Sequence, residues 1–210
     1  MQEILPGLWH WTTFHEGIRA RVSSYYVEPA GALLDPRVPE EGLDAFAGRG
    51  RPQQVVLTSG LHTRDATEFA DAFGCAIRAP REGLDRLAGS LAADPYDDRD
   101  EVAPGMTAIQ IGRLCPDEYA LHIAVAEGAI AFADGLIRYG GALGFVPDAL
   151  MGDDAATVKA GLKDAFGGLL TRDFDHLLFA HGDPLIGGGK TALRDFLKRP
   201  VGHEDYGQVV

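Results

Sequence analysis

Three short apolar segments, each ended abruptly by a polar residue, constrain the fold of this chain more than any other feature. They span residues 54–58, 129–133 and 176–180. Short apolar runs of this kind are typical of strands that are buried on both faces of a sheet. Asp134 follows the second run and His181 follows the third. Because ligands in layered α/β folds bind at the edge where strands end, Asp134 and His181 are the first candidate functional residues.

The pattern around these segments predicts many strands followed by helices. Further strands are predicted at residues 21–28, 32–34, 75–77, 107–111 and 119–126. Helices are predicted at residues 64–73, 83–91, 155–170 and 191–199. No repeat, long linker or shift of composition divides the chain, so a single domain over residues 1–210, built in two similar halves, is expected.

Composition narrows the class of partner. The chain has 19 Lys and Arg residues against 31 Asp and Glu residues, a formal net charge of −12. Nucleic acids and anionic membranes bind clustered cations, so neither is an expected partner. No apolar run approaches the roughly 20 residues of a membrane helix and no signal-peptide pattern opens the sequence, so a cytoplasmic protein is expected. A small-molecule ligand and a homo-oligomer are both compatible with this composition.

The order of the elements resembles that of the metallo-β-lactamase superfamily along nearly the whole chain. Residues 24–36 resemble its N-terminal hairpin, and residues 55–58 resemble the strand that leads into its HxHxDH metal-binding signature. Residues 116–121 are similar to the segment around its middle histidine. The segments that end at Asp134 and His181 resemble the strands that deliver its bridging aspartate and its last histidine.

This resemblance implies both a fold and a chemistry. The fold is α+β, a four-layer αββα sandwich of two mostly antiparallel sheets with helices on the outer faces. The site lies between the two sheets and holds one or two zinc ions, or iron in some branches. The activity that the resemblance implies is hydrolysis of esters, thioesters, lactams or phosphoesters. Within the superfamily, the chain most resembles the hydroxyacylglutathione hydrolase branch.

The signature itself departs from the family. Aligned on Leu57 and Thr58, its metal-binding positions fall on Ser59, Leu61, Thr63 and Arg64, none of which is a usual zinc ligand. The middle histidine position falls near Leu114 or Cys115. Asp134 and His181 remain, but catalytic zinc normally has three protein ligands and a water. The sequence therefore argues against a dinuclear zinc hydrolase.

Two rearrangements would compensate for the missing ligands. In the first, His62 and Asp65 join Asp134 and His181 in a mononuclear site for zinc or iron. In the second, no cofactor binds, and the guanidinium of Arg64 takes the place of the metal and pairs with Asp134. The second is favoured, because a fixed cation directly compensates a buried carboxylate.

The sequence thus predicts a metallo-β-lactamase-like protein with an eroded metal centre that keeps a small-molecule pocket. A mononuclear metal-dependent hydrolase and a non-catalytic partner-binding domain are the alternatives.

Overall fold

The computed structural model describes residues 1–201 of the chain. Two β-sheets pack face to face, and helices cover their outer faces, so the αββα sandwich is confirmed. The α-helices in the described range are α1 (Ala66–Phe73), α2 (Leu84–Leu87), α3 (Ala155–Leu169) and α4 (Gly189–Leu197). None of the helices in this range is both long and apolar enough to cross a membrane.

The first sheet has seven strands in chain order. They are β1 (Gln2–Leu5), β2 (Leu8–His15), β3 (Ala20–Val27), β4 (Ala32–Leu34), β5 (Gln54–Val56), β6 (Ala76–Pro80) and β7 (Asp94–Tyr96). Strands β1 to β4 pair antiparallel, whereas β4 to β7 pair parallel, so the sheet is mixed. Because β4 and β5 are parallel neighbours, the segments that follow them start at the same edge of the sheet.

The second sheet has five strands in the order β14–β11–β10–β9–β8. These are β8 (Glu101–Ala103), β9 (Met106–Gln110), β10 (Tyr119–Ile123), β11 (Ala129–Phe132) and β14 (His176–Phe179). The predicted meander from β9 to β11 is confirmed as antiparallel. Strand β14 adds to β11 in parallel, so this sheet also has two neighbouring carboxyl ends at one edge.

Apolar packing holds the layers together in three clusters. Between the sheets, Leu34 and Val56 share a buried cluster with Leu121 and Leu178. A second cluster lies between the first sheet and α1, and a third between the second sheet and α3 and α4. In the third, the ring of Phe166 on α3 meets that of Phe132 edge to face at 5.2 Å. The strand ends that carry the candidate residues therefore belong to two sheets that are each buried on both faces.

The structure adds elements that the pattern did not predict. Strand β2 reads LWHWTTFH, and its large side chains face a cluster on both sides, so it lacks a simple apolar–polar alternation. A small hairpin of β12 (Ile137–Tyr139) and β13 (Ala142–Gly144) was also missed. Its turn is Gly140-Gly141, with φ angles of 55° and 84° that only glycine adopts readily.

Candidate metal centre

Four polar side chains converge where the parallel strands of both sheets end. Asp35 follows β4 directly, and His62 lies in the turn between β5 and α1, where its backbone N–H donates to the carbonyl of Ser59. Asp134 and His181 follow β11 and β14 in the second sheet. Because the two sheets pack face to face, their four carboxyl ends bring these side chains together between the sheets.

His62, Asp134 and His181 form a group whose ligand atoms all lie within 4.8 Å of one another. The Nε2 atom of His62 is 3.1 Å from Oδ1 of Asp134, and Nε2 of His181 is also 3.1 Å from that oxygen. The His62 side chain is buried, whereas Asp134 is 25% exposed. A ligand can therefore reach the group from the Asp134 side. Among residues 1–201, this is the one such group of His, Cys, Asp and Glu that could hold a metal ion.

Asp35 fixes the orientation of the His62 ring. Its Oδ2 atom is 2.9 Å from Nδ1 of His62, and its Oδ1 atom accepts a hydrogen bond from the Thr58 backbone N–H at 2.8 Å. The Thr58 hydroxyl donates to the same carboxylate. Nδ1 of His62 is thus committed to Asp35, and Nε2 is directed at Asp134. A carboxylate on the far nitrogen of a metal-binding histidine is a common arrangement, because it sets the tautomer and the ring orientation.

Two carboxylates favour the protonated form of His62. Burial would lower its pKa, but the carboxylates of Asp134 and Asp35 outweigh burial and raise the pKa from 6.5 to about 10. Burial would likewise raise the pKa of Asp134, but His62 and His181 hold it well below its ordinary value. The result is a buried imidazolium between two carboxylates, an arrangement in which each charge depends on the other.

Glu118 stabilises the turn that carries Asp134 through hydrogen bonds. Its side chain is buried, and its carboxylate accepts hydrogen bonds from the backbone N–H groups of Leu114 and Gly135. A Cβ atom at position 135 would come within 2.1 Å of Oε1 of Glu118, so only glycine allows this close approach. Burial raises the pKa of Glu118 to about 7, against the effect of the two N–H donors. Glu118 therefore ties two loops together immediately beside the group of His62, Asp134 and His181.

We expect Glu118→Gln to remove a pH dependence of stability. Because the pKa of Glu118 is raised from 4.5 to about 7, the folded protein binds more protons than the unfolded chain in this interval. The contribution of Glu118 to the free energy of unfolding is complete below pH 4.5 and is lost as the pH rises through 7. The unfolding free energy of the wild type relative to the variant is expected to fall by about 3 kcal/mol across the interval. Urea denaturation at a series of pH values measures this, and a difference independent of pH would refute the assignment.

The structure does not place Arg64 where the sequence predicted it. Its guanidinium donates to the backbone carbonyls of Ser23 and Asp35, both at 2.6 Å. Within the described residues the predicted ion pair with Asp134 is not formed, although the charge of Asp134 still acts on the pKa of Arg64; the side chains that pair with Asp134 are those of His62 and His181. Arg64 lies in a tight turn before α1, with a φ of 41°, and its guanidinium reaches the middle of β3 at Ser23 and the residue after β4, Asp35.

Asp65 is also separate from the metal-binding group, contrary to the first predicted rearrangement. Its Oδ2 atom accepts hydrogen bonds from the Val38 backbone N–H at 2.8 Å and from the Arg37 guanidinium at 3.4 Å. The predicted partnership with His62 assumed a shared helix face. Because α1 begins only at Ala66, His62 lies in the preceding turn and the helical spacing does not apply.

Two positions of the aligned signature have other roles. The Ser59 hydroxyl donates to Oδ2 of Asp117 at 3.1 Å, and the Gly60 backbone N–H donates to the same oxygen. Leu61 is 56% exposed. Ser59 therefore helps to fix the loop after β5, and the histidine of this loop that reaches the centre is His62.

Sequence reasoning did not select Asp35 or Glu118 as site residues. The signal for Asp35 was present, because it follows the apolar run Ala32–Leu34 in the same way that Asp134 follows its strand. No local pattern marks Glu118, whose role depends on the turn at Gly135 from a later part of the chain.

Comparisons with known proteins were made at the level of sequence and of structure. No family model matches the sequence, and no curated protein matches it either. The BLEG-1 B3 metallo-β-lactamase superimposes with a TM-score of 0.64 at 15% identity, covering 91% of this chain and 100% of that one. The metallo-β-lactamase family protein TTHA1429 from Thermus thermophilus gives a TM-score of 0.63 at 14% identity, covering 93% and 79%.

A third similar structure contains metal. TTHA1623 in a di-iron-bound form superimposes with a TM-score of 0.59 at 16% identity, covering 89% of this chain and 93% of that one. At these identities the similarity concerns the backbone architecture. The chain has the metallo-β-lactamase fold.

Proposed function

We propose that the protein is a mononuclear metal-dependent hydrolase whose metal ion is bound by His62, Asp134 and His181. The observation that carries this proposal is the convergence of the three ligand atoms within 4.8 Å. Three protein ligands and one open position are the usual set of a catalytic zinc site. Neighbouring ligand atoms of a tetrahedral zinc ion lie about 3.3 Å apart. Both nitrogen–oxygen distances here are 3.1 Å, so the residues fit one ion.

The surrounding residues support the same assignment. Asp35 occupies Nδ1 of His62 and leaves Nε2 for the metal, while Glu118 holds the turn next to Asp134. Among residues 1–201 a second ion lacks ligands, because the signature positions hold Ser59, whose hydroxyl is bound to Asp117, and Arg64, which is a cation. The centre therefore suits one metal ion rather than two.

The chemistry follows from one open coordination position on a partly exposed centre. One zinc or iron ion there would supply Lewis-acid activation of a water or of a substrate oxygen. The substrate class is the one that the resemblance implies: a small ester, thioester or phosphoester. His62 and His181 would orient the centre, and Asp134, which lies between them, would set its charge.

Metal content tests this proposal directly. The protein, stripped of metal by a chelator and dialysed, is titrated with zinc while binding heat and released protons are recorded. We expect one equivalent to bind, with proton release because His62 must lose its proton. Asp134→Asn and His181→Ala are each expected to weaken binding at least tenfold. The metal-loaded protein is then assayed against nitrophenyl ester, thioester and phosphodiester substrates.

A matched control separates ligand loss from general damage. His122 on β10 bonds to the carbonyl of Asp173, away from the centre, so His122→Ala is expected to retain one equivalent of zinc and full turnover. Two bound equivalents, or no binding by the wild type, would overturn the mononuclear site. Binding of one equivalent without turnover of any ester class would overturn the hydrolase assignment.

A second candidate function rests on the charge of His62. Both ring nitrogens of His62 face carboxylates, so its imidazolium can replace the metal ion and leave a metal-free binding protein. This is the eroded centre of the sequence analysis, with His62 in the role assigned there to Arg64. The zinc titration decides between the two, because a metal-free centre binds no equivalent of zinc at neutral pH.

A further inference from the structure

A small cavity adjoins the strand end that carries His181. Its volume is about 200 Å³, and its lining includes Arg21, Arg138, Tyr139 and Gly182. Gly182 directly follows His181, and the Arg138 backbone N–H donates to the His181 carbonyl at 3.0 Å. The cavity is smaller than the roughly 300–1,000 Å³ of a complete small-molecule site. It therefore suits one terminal group of a ligand whose remainder extends elsewhere.

Backbone atoms hold the two arginines of this cavity in place. The Arg138 guanidinium donates to the carbonyls of Asp183 at 3.2 Å and Pro184 at 3.0 Å. The Arg21 guanidinium donates to the carbonyl and the hydroxyl of Thr12. Carbonyl and hydroxyl acceptors orient a guanidinium without neutralising its charge. For Arg138, with three backbone acceptors, part of the entropy cost of fixing the side chain for a ligand is therefore already met, whereas the Arg21 side chain is 58% exposed and, among the described residues, is hydrogen-bonded to Thr12 alone.

Two guanidinium groups and one carboxylate line the cavity, so its net charge is opposite in sign to that of the chain. The chain carries a net charge of −12, yet two guanidinium groups line this one small space. The acidic groups nearby are Asp183, which also lines the cavity, Glu40, and Glu41, which pairs with the N-terminal amine. The Glu40 side chain is 78% exposed, and its carboxylate lies 3.8 Å from Arg21. An exposed pair at this distance contributes little, so Glu40 leaves most of the Arg21 charge available.

We propose that this cavity binds the carboxylate or phosphate group of a ligand between Arg21 and Arg138. A planar guanidinium suits both anions, because each can accept two parallel hydrogen bonds from it. Resting on the proposed function, this assigns the substrate as an ester or thioester whose acyl chain ends in an anionic group. The anionic end occupies the cavity while the scissile bond lies at the neighbouring metal centre.

Anion binding is tested first, on the metal-free full-length protein, so that the result is independent of the metal centre. Glutarate and inorganic phosphate are titrated separately at low ionic strength, which distinguishes the carboxylate from the phosphate. We expect one anion to bind per chain, and Arg21→Gln and Arg138→Gln each to weaken it about tenfold. Arg99→Gln is the matched control, because the Arg99 side chain is 84% exposed and pairs with its neighbour Asp98.

Substrate preference is tested second, on the zinc-loaded protein. The KM of nitrophenyl glutarate is expected to rise about tenfold in Arg21→Gln, while the KM of neutral nitrophenyl butyrate stays unchanged. The Arg21 guanidinium bonds to Thr12 and Glu40 at the surface, so this variant keeps the test valid if Arg138→Gln fails to fold. Absence of binding by the wild type, or unchanged binding in both variants, would overturn the anion site. Anion binding without turnover of any ester would leave the site standing and overturn the proposed hydrolase.

Discussion

His62→Ala is expected to abolish zinc binding and to lower the free energy of unfolding by about 3–5 kcal/mol. The imidazole supplies one of three metal ligands and is also the cation between two carboxylates. Its removal leaves Asp35, which is 4% exposed, with a buried charge and without its ring partner. Urea denaturation measures the stability loss, and zinc titration of the same preparation measures the loss of binding.

The pH profile of this variant distinguishes a charge effect from simple loss of packing. Because the pKa of His62 is raised from 6.5 to about 10, the contribution of His62 to the free energy of unfolding is complete below pH 6.5 and is lost as the pH rises through 10. The lowered pKa values of Asp35 and Asp134 make their contribution complete above pH 3.8, and it is lost as the pH falls through those lowered values. The difference in unfolding free energy between wild type and variant is therefore expected to be largest between pH 3.8 and pH 6.5 and to narrow as the pH rises toward 10.

The control for this experiment is another histidine on a strand. His122→Ala removes a single hydrogen bond to a backbone carbonyl, so we expect a cost of about 1 kcal/mol at most. A His62→Ala variant as stable as the His122 control, or a gap that does not change with pH, would show that His62 is not the cation of the centre.

Gly182→Ala is expected to have the second large effect, through the backbone rather than through charge. Gly182 has a φ of 98°, and a Cβ atom there would come within 1.6 Å of the Arg138 carbonyl oxygen. The position of a Cβ is fixed by the backbone, and the carbonyl oxygen is a main-chain atom of the residue bridged to Gly182, so a side-chain rotation cannot relieve the clash. We expect destabilisation of more than about 4 kcal/mol and displacement of His181 from Asp134.

Thermal unfolding and zinc titration of Gly182→Ala measure these two consequences. Gly167→Ala is the matched control, because Gly167 lies within α3 and a Cβ there meets nothing within 4 Å. That substitution is expected to be neutral or to stabilise the protein by up to about 1 kcal/mol, since alanine is the better helix former. Equal melting temperatures for the two variants would contradict the close approach at Gly182.

The main strands and helices could be predicted because they depend on patterns that are local in the chain, whereas their arrangement in layers was implied by the resemblance to the metallo-β-lactamase superfamily. The short apolar runs and their polar terminators predicted the strands that carry Asp134 and His181, and the helical spacing of α3 was equally clear. The strand β2 escaped prediction because aromatic residues occur on both of its faces. Periodicity reports burial on one face and is lost when both faces are covered.

The details of the centre depended on a few backbone angles and on distant partners. The sequence predicted Arg64 as the cation, but the Arg64 guanidinium donates to the carbonyls of Ser23 and Asp35 and forms no ion pair with Asp134 among the described residues. It offered Asp65 as a ligand, but the turn before α1 directs that carboxylate to Val38. No spacing rule for helices or strands covers such a turn.

By itself, the sequence pattern predicted the main strands and helices and the two polar residues that follow the strands of the second sheet, because strand ends are encoded within a few neighbouring residues; the order of the layers came from the resemblance to the metallo-β-lactamase superfamily. The tertiary structure decided which side chains meet there. It selected His62 over Arg64 and Asp65, and it recruited Asp35 from a strand more than twenty residues away. The physical reason is that the charge balance of a buried centre is set by contacts across two packed sheets, which no local segment specifies.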